Sequence, residues 1–164
     1  MSYTELIFFD KDGNIIEIEE IKNAYCGAFT IWKRLFEKYY PNKNWLEEMY
    51  INSCKNVWKL CKTHNLTKEE LVCLFYTFDY ALTDREHINI LISSLKSYHE
   101  ENDSLLEQAK IIENAFKNNK IEFIGTHQTT VSCSYWYDNN CINEPKGWLI
   151  FGDKILNKKI RSKI

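Results

Sequence analysis

Glycine and proline are scarce in this 164-residue chain, five and two respectively, and their scarcity removes whole classes of site. The glycines are dispersed at Gly13, Gly27, Gly125, Gly147 and Gly152. No GxGxxG or Walker loop therefore offers a row of backbone N–H groups to a phosphate. No apolar run approaches the roughly 20 residues that a bilayer-crossing helix requires. Neither sign of charge dominates: 21 basic against 23 acidic residues leave a formal net charge of −2. Such a balance supplies neither the field of a nucleic-acid binder nor the dense acidity of a DNA mimic, so no nucleic-acid partner is expected. The six cysteines include no C-x2-C spacing. Cys54, Cys61, His64 and Cys73 lack the short spacer that lets one turn present two zinc ligands, and Cys54 and Cys61 fall on a helical apolar stripe; they are expected to pack as free thiols. Met1 leads into the polar stretch SYTE without a basic and then apolar leader. The expectation is a cytoplasmic protein with no metal and no cofactor.

What is present is patterning. Aromatic residues make up 15% of the chain and apolar residues 45%, enough to build one well-filled core. Residues 4–20 form two apolar runs around KDGN, a hairpin signature, with Gly13 supplying a left-handed conformation. In its second strand Ile16 and Ile18 alternate with Glu17 and Glu19, which predicts an isoleucine face that is buried and a glutamate face that is wet. From Asn23 the period becomes helical, with Ala28, Phe29, Trp32, Leu35, Phe36 and Tyr39 on one stripe and Pro41 as the stop. A second helix is predicted over Trp45–His64, burying Leu46, Met49, Cys54, Val57, Trp58 and Cys61. Three further helices are predicted to begin at capping boxes, Thr67 with Glu70, Thr83 with Glu86 and Ser104 with Glu107. After Asn119 the period returns to two, giving strands in IEFIG, QTTVSCSYWY and GWLIFGD, with a turn near Gly125 and a loop over Asp138–Lys146. Strands at both ends and helices between them predict a single α+β domain over 1–156, whose strands complete one antiparallel sheet, followed by a basic tail over 157–164.

Two stretches carry candidate chemistry. LIFFDKDGNII resembles motif I of the haloacid-dehalogenase phosphohydrolases, hhhhDxDG[T/V]. The resemblance implies Asp10 as the nucleophile on phosphorus, Asp12 as the general acid/base and Mg²⁺ to neutralise phosphate charge. It also aligns Asp153, in GWLIFGDK, with the family's late acidic residue, Thr126 with its phosphate-binding hydroxyl and Lys146 with its lysine. Asn14 stands where the family has Thr or Val. The residues themselves favour the simpler reading, in which Asp10 and Asp12 hold a hairpin turn. His127 and Cys133 would lie about 20 Å apart on one strand, too far to act as a base and thiol pair.

The second stretch is aromatic and polar. Tyr135, Trp136, Tyr137 and Trp148 concentrate near the C-terminus, and alternation places Trp136 on one strand face with Gln128, Thr130, Ser132 and Ser134. An indole among hydroxyls and amides suits a recognition surface, because it offers large contact area with few rotors to freeze. The expectation is a non-enzymatic protein that acts by binding another, unidentified protein, with no membrane involved, as an immunity, inhibitor or anti-defence factor would. Isoleucine, lysine and asparagine make up roughly a third of the chain, as in the AT-rich coding of a low-GC bacterium or phage. The alternative is an Mg²⁺-dependent phosphohydrolase or phosphotransferase using Asp10 and Asp12. No oligomeric state follows from the sequence.

Overall fold

A computed structural model describes residues 3–22, 25–78, 81–129 and 150–151, and within them the two apolar runs around Gly13 pair as the hairpin their alternation predicts. β1 (Tyr3–Phe9) and β2 (Ile15–Lys22) are antiparallel, and Gly13 takes φ 76°, the left-handed conformation that a side chain would oppose. A bulge sits beside the turn: Phe8 faces Glu17 while Phe9 faces Ile15, leaving Ile16 unmatched.

Helix α1 (Tyr25–Tyr39) follows its predicted stripe, burying Ala28, Ile31, Trp32, Leu35 and Phe36. The single helix expected over Trp45–His64 is instead three short ones: α2 (Trp45–Tyr50), α3 (Lys55–Trp58) and α4 (Leu60–Thr63). The break has a local cause. Ser53 and Cys54 adopt left-handed φ values of 51° and 58°, and the buried Glu48 carboxylate takes up the Asn56 N–H that a continuous helix would direct to the carbonyl four residues earlier. Helix α5 (Lys68–Tyr76) begins at the predicted capping box: Thr67 Oγ1 accepts from Glu70 N–H at 3.2 Å, and Glu70 Oε2 accepts from Thr67 N–H at 2.9 Å.

The other two predicted boxes are corrected. Thr83 lies inside a strand, β3 (Ala81–Asp84), and the cap is the next residue: Asp84 accepts from His87 N–H at 3.1 Å and starts a 3-10 turn, Arg85–His87, that leads into α6 (Ile88–Tyr98). Before α7 (Leu105–Ala115) the cap is Asp103, which accepts from Leu105 N–H at 2.9 Å, while Ser104 Oγ accepts from Gln108 Nε2. In both places a carboxylate, the stronger acceptor, displaces a neighbouring hydroxyl. Arg85 then ties the end of β3 to the segment after α7, donating to the carbonyls of Phe116, Asn118 and Ile121.

β4 (Phe123–Thr129) runs straight through Gly125, where a turn was expected, and β5 (Ile150–Phe151) falls within the predicted GWLIFGD strand. The sheet order is β2-β1-β4-β3-β5 and every pairing is antiparallel, so the chain is α+β with its hairpin and its late strands in one sheet. One sheet face, with Leu6, Phe8, Ile21 and Ile124, meets the helices in the main core. The other carries a smaller cluster of Ile7, Phe9 and Leu82, flanked by Ile15 and Phe123.

That second cluster overturns the expectation for β2. Ile18 stands opposite Ile7, on the face away from the helices, and Ile16 and Ile18 are exposed. Glu17 and Glu19 stand opposite Phe8 and Leu6 on the helix side and are half-buried. β2 is the sheet's edge strand, so its helix-side face lies at the rim of the core, where a glutamate stem can pack while its carboxylate reaches water. Among the described residues no helix is long and apolar enough to cross a membrane. The proposed tail over 157–164 lies outside the described residues.

Candidate interaction surface

The hairpin turn holds Asp10 and Asp12, two positions apart in sequence, in different roles. Asp10 Oδ1 accepts from Asp12 N–H and Asn14 N–H, both at 2.8 Å, and Oδ2 accepts from Asn14 Nδ2 at 2.8 Å. Both oxygens of Asp10 are thus turned onto its own loop, the arrangement of a turn-holding aspartate. Asp12 is exposed, and the two aspartates border an open cleft with Lys11, Ile16, Asn119, Lys120 and Glu122. Thr126, aligned by resemblance with a phosphate-binding hydroxyl, is instead buried and donates to the carbonyls of Tyr76 and Phe78. It lines a cavity of about 10 Å³ with Thr4, Tyr76, Thr77 and Gln108, room for nothing larger than a water.

Of the predicted recognition row, Thr130, Ser132, Ser134 and Trp136 lie outside the described residues, as do Cys133, Lys146, Trp148 and Asp153. Gln128 is described by its backbone alone, in β4 opposite Thr4.

The thiols are free at Cys54 and Cys73, and Cys61 Sγ donates to the Trp58 carbonyl at 3.9 Å. Burial, with the Glu48 carboxylate adding to it, pushes the Cys54 thiol up to about 12, and burial raises Cys73 as well. His64 is taken up between the rings of Tyr39 and Tyr40, 5.1 and 5.0 Å away. The one cluster of potential metal ligands among the described residues is Asp84, Glu86 and His87. There Asp84 Oδ1 already accepts from His87 N–H and lies 2.5 Å from His87 Nδ1, closing the 3-10 turn from within.

The surface that sequence reasoning missed is on α2. Asn44 caps this helix, its side chain accepting from Leu46 N–H at 2.8 Å. Trp45 packs its ring 5.8 Å from that of Phe36, and Met49 packs on the core beside it. Glu48, fully buried, accepts from Asn56 N–H at 2.8 Å, Asn56 Nδ2 at 2.7 Å and Asn52 Nδ2 at 3.2 Å. Its backbone carbonyl accepts from Cys54 N–H. The inner arc is thereby fixed, and the outer arc presents Leu46, Tyr50 and Ile51, which are 57%, 76% and 74% exposed. Leu46 and Tyr50 are one helical turn apart and share a face. Sequence patterning places Leu46 on the buried stripe of one long helix; once the helix breaks, that stripe no longer continues, and Trp45, Glu48 and Met49 face inward instead. The available signal was the pair Tyr50–Ile51, two large apolar residues off the predicted stripe.

A scan against protein families, curated proteins and solved structures finds no match to this chain.

Proposed function

We propose that this chain is a small, non-enzymatic cytoplasmic protein that acts by binding another protein, through the outer face of α2. The single observation that carries the reading is the contrast across one short helix. A fully buried carboxylate and two left-handed residues hold its inner side, while its outer side offers three large apolar side chains to water. Burying a charge is costly unless it is well bonded, and exposing neighbouring apolar residues forfeits their transfer free energy. The Glu48 charge is bonded from within, and the cost of the exposed apolar residues is accounted for if the outer face is covered when the protein works. Tyr50 supplies the amphipathic anchor, and Leu46 and Ile51 supply apolar contact around it. The partner surface is an apolar groove able to accept a tyrosine ring, as on the target of an immunity, inhibitor or anti-defence factor.

The test is affinity purification from the native host, followed by titration of the recovered partner against wild type, Tyr50→Ala and Leu46→Ser. The expected result is a loss of affinity of about thirtyfold for Tyr50→Ala, equivalent to about 2 kcal/mol, with an unchanged melting temperature. Wild-type affinity in both variants would refute the assignment. Magnesium-dependent hydrolysis of p-nitrophenyl phosphate, abolished by Asp10→Asn, would instead favour phosphotransfer at the hairpin turn.

A further inference from the structure

The other exposed feature of the fold is the edge strand. β2 is eight residues long, longer than an unprotected edge usually is, and on its outer side no strand is paired among the described residues. Every second peptide along it therefore directs an N–H and a C=O away from the sheet. Its side chains add a specific chemistry. Ile16 and Ile18 are 37% and 48% exposed, and Glu17, Glu19 and Glu20 form no ion pair with a lysine or arginine among the described residues. Glu20 also stands directly opposite Glu5 on β1, a like-charge cross-strand pair that disfavours the sheet as it stands.

We propose that the outer edge of β2 takes up an extended segment of another protein in which apolar residues alternate with lysine or arginine, adding a strand to that edge. Backbone pairing would supply affinity and the alternating side chains would supply selection, apolar residues meeting Ile16 and Ile18 on one face and cations meeting Glu17 and Glu19 on the other. The same charges argue against a second copy as occupant, because two β2 edges brought together would face glutamate rows across the new seam. This surface is separate from the outer face of α2 and does not depend on it.

The probe is a capped octapeptide of alternating valine and lysine, titrated by calorimetry against the full chain, beside its valine–glutamate counterpart and a version N-methylated on alternate amides. The lysine peptide is expected to bind at least tenfold more tightly than the glutamate peptide. N-methylation of the amides facing β2 should abolish binding, and Glu17→Lys with Glu19→Lys should reverse the charge preference. Tyr50→Ala should leave all of this unchanged, which separates this proposal from the one for α2. Equal binding of the N-methylated peptide would reduce the effect to bulk charge and overturn strand pairing, as would the absence of measurable binding at millimolar peptide. A dimer in analytical ultracentrifugation that is dissolved by the same lysine substitutions would assign the edge to a second copy and overturn the proposal.

Discussion

Glu48 is an acidic residue enclosed by the very loop it organises. Three N–H bonds reach its carboxylate, two of them from Asn56 and one from Asn52, so the chain that leaves α2 is wrapped around the charge. Truncation would leave the Asn56 amide and both half-buried asparagine side chains without their acceptor, beside a void. Glu48→Ala is therefore expected to destabilise the protein by about 2–4 kcal/mol, read as a fall in the urea midpoint. The same variant should expose a second signal. With its thiol raised to about 12, Cys54 is expected to react slowly with a thiol reagent at pH 8 in the wild type and much faster in Glu48→Ala, because the loop that covers it is released. None of this was legible residue by residue. A glutamate flanked by Glu47 reads as surface charge, and only the two asparagines, four and eight positions on, show that the carboxylate faces inward.

Among the elements, those with a short-range cause could be read from the sequence and those decided by distant neighbours could not. The β1–β2 hairpin rests on Gly13, and the start of α5 rests on Thr67 and Glu70; both causes lie within a few residues, and both elements form where expected. β3 is four residues long and owes its strand state to β4, with Leu82 opposite Gly125 and Thr83 opposite Ile124, so its local spacing read as a helix cap. Gly125 read as a turn for the same reason: it lies mid-strand between Ile7 and Leu82, a placement that only the assembled sheet reveals. Helix α1 contains a comparable hidden constraint. A Cβ built on Gly27 would lie 2.8 Å from Leu105 Cδ2 and 3.0 Å from Gln108 Nε2, at the base of α7. Alanine there gains about 1 kcal/mol in helix propensity. Overpacking a buried contact costs about 1–3 kcal/mol, and the two side chains met, Leu105 and Gln108, are both buried. Gly27→Ala should thus lower the melting temperature instead of raising it, and Leu105→Ala in the same chain should partly restore tolerance of the added methyl.

At the scale of the whole molecule, the helices are fastened in sequence, α5 to α6 and α6 to α7, and α1 is pinned to the start of α5 at one polar point. There Glu70 Oε1 accepts from Lys38 Nζ, and Oε2 accepts from Tyr39 Oη at 2.5 Å and from Thr67 N–H at 2.9 Å. Burial alone would raise the Glu70 pKa, but the Lys38 ammonium, the Tyr39 hydroxyl and the Thr67 amide outweigh it and hold the carboxyl below its ordinary value. In the unfolded chain Glu70 reverts to an ordinary glutamate, near about 4.3. The unfolded state therefore binds the proton first as pH falls. The stabilisation is complete above the unfolded value and is lost as pH descends through the folded one. Protonation also removes the charge that pairs with Lys38 and weakens the charge-assisted bond from the Tyr39 hydroxyl, so the loss falls on the contact that joins two parts of the core. The urea midpoint of the wild type should accordingly drop on acidification from about pH 5 to about pH 3. Glu70→Gln, which cannot titrate, should begin with a lower midpoint at neutral pH and show a visibly shallower decline. Parallel slopes in the two proteins over that range would mean that acid acts elsewhere in the fold and that this junction does not set its lower pH limit.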